Sequence, residues 1–409
     1  ILTRYQIITF LVSIFVLYFL LAYYASKSLK TLKAPRWLRY TYATITIAII
    51  VLMAYHWFGK GKTVWSAPQQ YAVAAFLIWF IVNLVTSIVL FAEDITRLLR
   101  WLFTKKRGNT SHMPSRRKFV SALGWGLAAI PFASLLYAIF QGKYNYKVLK
   151  YTLYFPNLPK AFDGYRITQI SDIHCGSFDN YDKIRYGVEL INAQQSDVIL
   201  FTGDLVNNLS EELLPWQSLF SQLHAPSGIY AIMGNHDYGD YSSWESPEAK
   251  QANIEQLHKL EEEMGWKLLL NTHTYLHRNG ERIALIGVEN WGHGRFSKYG
   301  DLTKAMQGIA ADDFKILMTH DPTHWEDIVQ PQHKDIALTL SGHTHGMQCG
   351  IEVPGWRWSP SQYIYKHWAG MYQQEGQYLN VNRGFGYHAF PGRIGVWPEI
   401  TVIELKTKE

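Results

Sequence analysis

Two textures divide the chain. Up to about residue 140 the apolar positions run together: Tyr5–Tyr24, Thr41–Phe58, Tyr71–Ala92 and Phe119–Phe140 are stretches of 18 to 22 residues without Asp, Glu, Lys or Arg. Each is long enough to cross a hydrocarbon layer of roughly 30 Å at about 1.5 Å per helical residue. Four such runs in succession predict a transmembrane domain over residues 1–142 rather than the buried helices of a soluble core. From Lys143 to Glu409 the apolar runs shorten and end in Gly, Asp, Asn or His. "YRITQIS" (165–171), "SDVILFTGD" (196–204), "GIYAIMGNHD" (228–237), "RIALIGVEN" (282–290), "FKILMTHD" (314–321) and "DIALTLSGHTHG" (335–346) share this form. Near-continuous apolar runs of this length predict strands buried on both faces. The polar, helix-like stretches between them, such as "NYDKIRYGVELINAQQ", predict an α/β layered domain.

Composition changes the picture little, and charge changes it more. The 409 residues are 48% hydrophobic and 18% charged, and the long apolar runs account for much of that bias. Lys27, Lys30, Lys33, Arg36 and Arg39 lie between runs one and two. Arg97, Arg100, Lys105, Lys106, Arg107, Arg116, Arg117 and Lys118 lie between runs three and four. The other side has only Arg4, Lys60 and Lys62. Thirteen against three predicts that the first group is cytoplasmic and that the C-terminal domain lies outside the cytoplasm. Tyr23, Tyr24, Trp37, Trp57, Trp65 and Tyr71 at the run ends fit interfacial anchors. The net charge of +6 is then largely a topology signal, and no nucleic-acid partner is expected. "SRRKFV" (115–120) resembles a twin-arginine export signal, and an ordinary basic flank of the fourth run is the alternative.

The chemistry gathers at strand ends, where open α/β sheets place their sites. Five ends carry metal-ligand side chains: Asp172 with His174; Asp204; Asn235 with His236; His320; His343 with His345. Any one alone reads as a turn or a hydrogen-bonded structural residue. Five in one domain form a constellation. In "SGHTHG" the two histidines stand at i and i+2, which an extended chain points to one side.

The motifs "DIH", "GD", "GNHD", "TH" and "GHTH", in that order, resemble the calcineurin-like metallophosphoesterase superfamily over roughly residues 150–409. "LPKAFDGYRITQISDIHCG" and "NRGFGYHAFPGRIGVWPEI" are similar to its membrane-anchored bacterial branch. The resemblance implies two packed sheets flanked by helices and a two-metal centre. Asp172, His174 and His345 would hold one ion, Asn235, His320 and His343 the other, and Asp204 would bridge them. His236 would protonate the leaving group and Asp237 would orient it. Mixed N and O donors suit Mn, Fe or Zn. Two such ions about 3.5–4 Å apart generate a hydroxide nucleophile and clamp a phosphoryl group. The resulting expectation is a metal-dependent phosphoric ester hydrolase, multi-pass in the bacterial cytoplasmic (inner) membrane, with its catalytic domain outside. Its partners would be the lipid bilayer and a phosphate-containing, lipid-linked substrate. A hydrolase of soluble phosphodiesters or nucleotides and a non-catalytic receptor on the same fold are the alternatives.

Two positions depart from the family pattern. After Gly-Asp the chain has "LVNN", with Asn207 and Asn208 in place of a second acid, and Met347 stands where a further Gly is common. Cys175 and Cys349 flank the first and last motifs, and a disulfide or two unpaired thiols are both open. Arg383 and Arg393 are candidate phosphate contacts, with structural ion pairs as the alternative. Asn290, His293 and Arg295 are candidates for the substrate side. His273, His277, His324, His333, His367 and His388 carry no motif and read as structural or surface residues. The aromatic stretch "PGWRWSPSQYIYKHWAGMY" (354–372) fits either core packing or a membrane surface.

Overall fold

A computed structural model describes residues 4–58, 67–104, 114–294 and 296–408. Lys60, Lys62, Trp65, Lys105, Lys106, Arg107 and Arg295, named above, lie outside the described residues. Contacts group the chain into two compact units, a helical one (residues 1–61 and 68–137) and an α/β one (chiefly 138–409).

The helical unit holds four helices long and apolar enough to cross a membrane: α1 (Arg4–Thr31), α2 (Arg36–Phe58), α3 (Ala67–Thr104) and α4 (Pro114–Phe140). Large apolar side chains such as Leu20, Val51, Ile88 and Phe91 point outward, as on helices that are hydrophobic all round. The helices extend past the charge-free runs. Lys27 and Lys30 stand in the last turns of α1, and Arg36 and Arg39 begin α2, so only residues 32–35 make the turn. Helix α3 continues to Thr104, and within it Glu93 and Asp94 lie 4.0 and 3.5 Å from Arg97 one turn on. Arg117 of the twin arginine bonds Glu93 and, at 2.8 Å, Asp94, which gives it a structural partner of its own. Buried polar groups pair between helices: Tyr42 Oη donates to Ala22 O (2.9 Å), Trp79 Nε1 to Thr46 Oγ1 (2.9 Å) and Trp125 Nε1 to Ser28 Oγ (2.8 Å).

In the α/β unit the strands are β1 (Lys147–Phe155), β2 (Arg166–Ile170), β3 (Val198–Phe201), β4 (Ile229–Ala231), β5 (Trp266–Leu268), β6 (Thr272–Arg278) and β7 (Glu281–Gly287). They continue as β8 (Lys315–Met318), β9 (Ile336–Ser341), β10 (Ile351–Val353), β11 (Trp356–Trp358), β12 (Gly370–Gln374), β13 (Gln377–Val381) and β14 (Glu399–Thr407). One six-stranded sheet has the order β1-β14-β2-β3-β4-β5 and the other β12-β13-β9-β8-β7-β6, while β10 and β11 form a separate hairpin. Strands β2 to β5 are mutually parallel, as are β7, β8, β9 and β13. Every residue of β3, β4, β8 and β9 is buried, which accounts for their largely apolar sequence; Lys315, Thr339 and Ser341 are the buried polar exceptions.

Ile167, Leu200 and Ile232 from the first sheet pack with Leu285, Ile316 and Leu340 from the second in one core. Fully burying each such side chain contributes about 1.5–3 kcal/mol. The outer face of the first sheet is covered by α5 (Tyr181–Asn192), α6 (Gln217–Phe220) and α7 (Pro247–Glu263), through Val188, Phe220 and Leu257. Helix α7 starts where Ser246 accepts from Ala249 N at 3.2 Å, with Pro247 in the first turn. Register aligns the strand ends: Phe201 lies opposite Ile170 and Ala231, and Met318 opposite Leu340 and Gly287. The loops leaving both sheets therefore start level.

Candidate metal centre

Each of the seven candidate ligands sits just past the C-terminal end of a parallel strand. Asp172 and His174 follow β2, Asp204 follows β3, Asn235 follows β4, His320 follows β8, and His343 with His345 follow β9. The two sheets are tied together here. His320 Nδ1 donates to Thr202 O at 2.7 Å, and the His343 N–H donates to Asp172 Oδ1 at 3.0 Å. Close approach is possible because Gly342 lacks a side chain; a Cβ there would fall 1.9 Å from Ser171 Oγ.

The local backbone is strained. Asp172, His174, Asp204, His343 and His345 all have φ between 49° and 73°, a region non-glycine residues rarely occupy. Such residues persist only where surrounding structure holds them, and they cluster at functional sites.

The side-chain atoms converge. Asp204 Oδ2 lies 3.5 Å from His174 Nε2 and 3.1 Å from His320 Nε2. His345 Nε2 lies 3.2 Å from Asp172 Oδ1 and 3.0 Å from His174 Nε2. Two groups able to hold a metal share Asp204: Asp172, His174, Asp204 and His345, and Asp204, His320 and His343. Asn235 adds a buried amide, whose Nδ2 donates to Tyr241 Oη at 2.9 Å while its Oδ1 has no partner. Burial lowers the pKa values of His174, His343 and His345, and that of His236 to about 4. Burial also opposes a charge on His320, but the Asp204 carboxylate beside it raises its pKa to about 10. Asp204 itself is held well below the carboxylate range, burial being outweighed by His320 and His236.

Two expectations need correction. Asp237 does not touch the His236 ring: its carboxylate accepts from the N–H groups of Asp204 (2.8 Å), Leu205 (2.7 Å) and Gly234 (2.8 Å), so it locks the loop carrying Asp204. The carbonyl of Asn207 orients His236 instead, accepting from Nδ1 at 2.7 Å. His388 is no peripheral residue. It stacks on His174 with ring centroids 4.7 Å apart, and it forms a third metal-capable group with His174 and His236. Cys175 and Cys349 are both free.

Asn207, one of the departures from the family pattern, reaches three imidazoles. Besides His236, its Oδ1 accepts from His174 Nδ1 (3.2 Å) and His388 Nδ1 (2.9 Å).

The substrate-side candidates scatter. Arg383 is bound to Glu399 and, at 2.9 Å, to Glu352, so the ion-pair alternative describes it. Arg393 is fully buried and donates to Gly386 O (2.8 Å) and Gly384 O (3.2 Å), with Nη2 3.2 Å from His345 Nδ1. It braces the site from behind. Asn290 is buried and donates to Ser297 O at 2.8 Å, while His293 is exposed beside Asp327 at 3.2 Å. Tyr365, from the aromatic stretch, places its Oη 2.9 Å from His343 Nε2; no strand-end motif marks it in the sequence.

Comparison with known proteins identifies relatives over both units. A family model described as "Calcineurin-like phosphoesterase" matches residues 165–347. Another, "Probable Calcineurin-like phosphoesterase, transmembrane domain", matches residues 5–143. The chain is 28% identical over 302 residues to "Uncharacterized metallophosphoesterase YkuE" of Bacillus subtilis (strain 168), which covers 72% of this chain and 98% of that protein. It is 30% identical over 275 residues to "Transmembrane protein with metallophosphoesterase domain" of Danio rerio. That match covers 64% of this chain but only 57% of the fish protein. A metallophosphoesterase of Helicobacter pylori (strain J99) is 25% identical over 334 residues, covering 80% of this chain and 83% of the relative.

Proposed function

The chain belongs to the calcineurin-like metallophosphoesterases, which are metal-dependent phosphoester hydrolases, and on that premise we propose that it cleaves a phosphoester or pyrophosphate bond in a lipid-linked substrate. The observation that carries the reading is Asp204 Oδ2, within 3.5 Å of imidazoles belonging to two separate ligand groups. In this reading Asp172, His174 and His345 hold one divalent ion, Asn235, His320 and His343 a second, and Asp204 is shared. The residues fit such ions. Asn235 Oδ1 and His320 Nε2 are buried without a hydrogen bond, the latter 3.1 Å from Asp204 but misaligned for one. Buried polar atoms left this way are destabilising unless something else coordinates them. Bound there, two divalent ions supply a water of lowered pKa and neutralise phosphoryl charge.

The protein's own groups do the rest. The Nδ1 proton of His236 is committed to Asn207 O, so Nε2 is the atom that exchanges a proton with the leaving group. Asn207 keeps His174, His236 and His388 in place. Asp237 holds the Asp204 loop at the required approach.

A segment rich in exposed apolar side chains supports an amphiphilic substrate. Met347, Ile351, Val353, Trp356, Tyr363 and Ile364 are all exposed. Their segment is tied to the ligand loop by Tyr365 at His343 and by Ser359 Oγ, which donates to Gly346 O at 2.7 Å. Patches of this kind mark interaction sites. The excess of Lys and Arg between runs one and two and between runs three and four supports action outside the cytoplasm.

The test is hydrolysis by the detergent-purified chain with Mn²⁺, first of bis-p-nitrophenyl phosphate, then of a polyprenyl pyrophosphate and its water-soluble headgroup analogue. Diester turnover absent in Asp204→Asn, with a preference for the lipid-linked compound, is expected. Equal turnover in Asp204→Asn would sink the two-metal reading, and preference for the soluble analogue would sink the lipid-linked one.

A further inference from the structure

The geometry points to a binding site for one anionic phospholipid in the α1–α2 hairpin, separate from the phosphoesterase site. A cavity of about 660 Å³ runs beside the hairpin, lined by Phe19, Ala22 and Ile47 and by Lys30, Arg36 and Arg39. Its volume lies in the range of ordinary small-molecule sites. The three cations sit at the turn end, while Phe19 and Ile47 lie about 16 and 12 Å deeper along their helices, at about 1.5 Å per residue. A charged mouth above an apolar slot of that depth matches a headgroup and part of an acyl chain.

Two further observations point to an anion. The ion pairs among the described residues of the helical unit all use Glu93 or Asp94, and none reaches Lys30, Arg36 or Arg39. The Nε atom of Arg39 is buried without a hydrogen-bond partner, an orphaned donor at the mouth of the cavity. A guanidinium suits bidentate phosphate recognition, and the first turn of α2 adds open N–H groups at the positive end of a 23-residue helix. Exposed Trp37 and Tyr40, in the same turns, belong at the level of lipid headgroups. Together these place the phosphate at the arginines and the chain between α1 and α2. The occupant is a membrane phospholipid rather than free phosphate, because Phe19, Ala22, Ala43 and Ile47 line the cavity beyond its cationic mouth.

The experiment is native mass spectrometry of the full chain in detergent, titrated with dioleoylphosphatidylglycerol or dioleoylphosphatidylcholine. One phosphatidylglycerol per chain is expected, bound at least tenfold more tightly than phosphatidylcholine. Lys30→Gln/Arg36→Gln/Arg39→Gln should weaken it roughly a hundredfold, and Ala43→Phe, which fills the slot, should weaken both lipids. Diester turnover with Mn²⁺ reports that each variant is folded. Should the triple variant not fold, Arg39→Gln alone is expected to weaken phosphatidylglycerol several-fold. Equal binding of the two lipids, or unchanged binding in folded Arg39→Gln, overturns the site. Displacement of the lipid by millimolar inorganic phosphate overturns the assignment to a lipid.

Discussion

His174 Nε2 and His345 Nε2 lie 3.0 Å apart, although one follows β2 and the other follows β9 of the opposite sheet. His174 Nδ1 faces Asn207 Oδ1, which can only accept, so the proton is on Nδ1 and Nε2 presents a lone pair. That lone pair, beside the Asp172 and Asp204 carboxylates, calls for a cation. Mn²⁺ at about a hundred times its Kd should stabilise the fold by about 2.7 kcal/mol. For a chain of this size that raises the Tm by a few degrees. Thermal melts in Mn²⁺ and in chelator check this, and Asp204→Asn should abolish most of the shift. Coincident melts for the native chain would contradict a metal site.

Asn207 ties three imidazoles of the site together. One side-chain oxygen and one carbonyl meet His174, His388 and His236. Residues that fix ligand imidazoles typically govern 10–100-fold in metal affinity or activity. Asn207→Ala should fall in that range, with the metal concentration for half-maximal activity rising. Asn207→Asp keeps an acceptor for both Nδ1–H groups and should recover most of the loss. An equal loss in both variants would make Asn207 a folding residue instead.

If His236 protonates the leaving group, its removal matters only where that group needs a proton. His236→Gln should lower kcat about 10²–10⁴-fold on an alkyl phosphodiester. The effect on an activated nitrophenyl ester, whose leaving anion is stable, should be much smaller. Equal losses on both substrates would assign His236 to metal binding with His174 and His388, the third metal-capable group.

The strand-end chemistry was legible because buried parallel strands write themselves as apolar runs, and a polar residue at the end of such a run has few places to go. His388 was not legible. It lies in the irregular stretch between β13 and β14, and it reaches His174 only because Gly386 packs against Ile173 O, where a Cβ would fall at 1.8 Å. For Arg383 the sequence left two alternatives open for a related reason. An arginine in a glycine-rich loop looks free until Glu399 arrives from β14 and Glu352 from β10. The role that the resemblance implied for Asp237 has the same root, since the turn after β4 directs its carboxylate toward the β3 loop and not to His236. In the helical unit the charge-free windows located the helices but not their ends, because the helices run on into charged residues such as Lys27, Lys30, Arg36 and Arg97.

Glu212 supports the loop behind the site by accepting from Asn207 N (2.6 Å) and Leu209 N (3.2 Å). Burial nevertheless raises its pKa from 4.5 to about 7, outweighing those hydrogen bonds. The folded state therefore binds this proton more tightly than the unfolded state. The associated stability is complete below about pH 4.5 and is lost as pH rises through about 7, a change of no more than about 3 kcal/mol. Urea unfolding in detergent between pH 5 and 8 should show the decline, and Glu212→Gln should make it shallower, the remainder coming from Asp237, whose pKa burial also raises to about 7. A native profile as shallow as the variant's would remove Glu212 from this role.

If the substrate is lipid-linked, as proposed, changes in the exposed apolar segment should act differently on lipid-borne and soluble substrates. Trp356 and Ile364 are 55% and 65% exposed, so replacing them removes no core contact and should leave the fold intact. At a bilayer surface each would bury area worth about 1.5–3 kcal/mol if burial were complete. Trp356→Ser/Ile364→Ser should therefore keep turnover of bis-p-nitrophenyl phosphate while losing at least tenfold in kcat/KM on a polyprenyl pyrophosphate in vesicles. The loss should shrink when the same lipid is presented in detergent micelles, where substrate reaches the site without a flat membrane. Equal losses on vesicle-borne and soluble substrates would mean that the segment acts through Tyr365 on His343, by shaping the site itself.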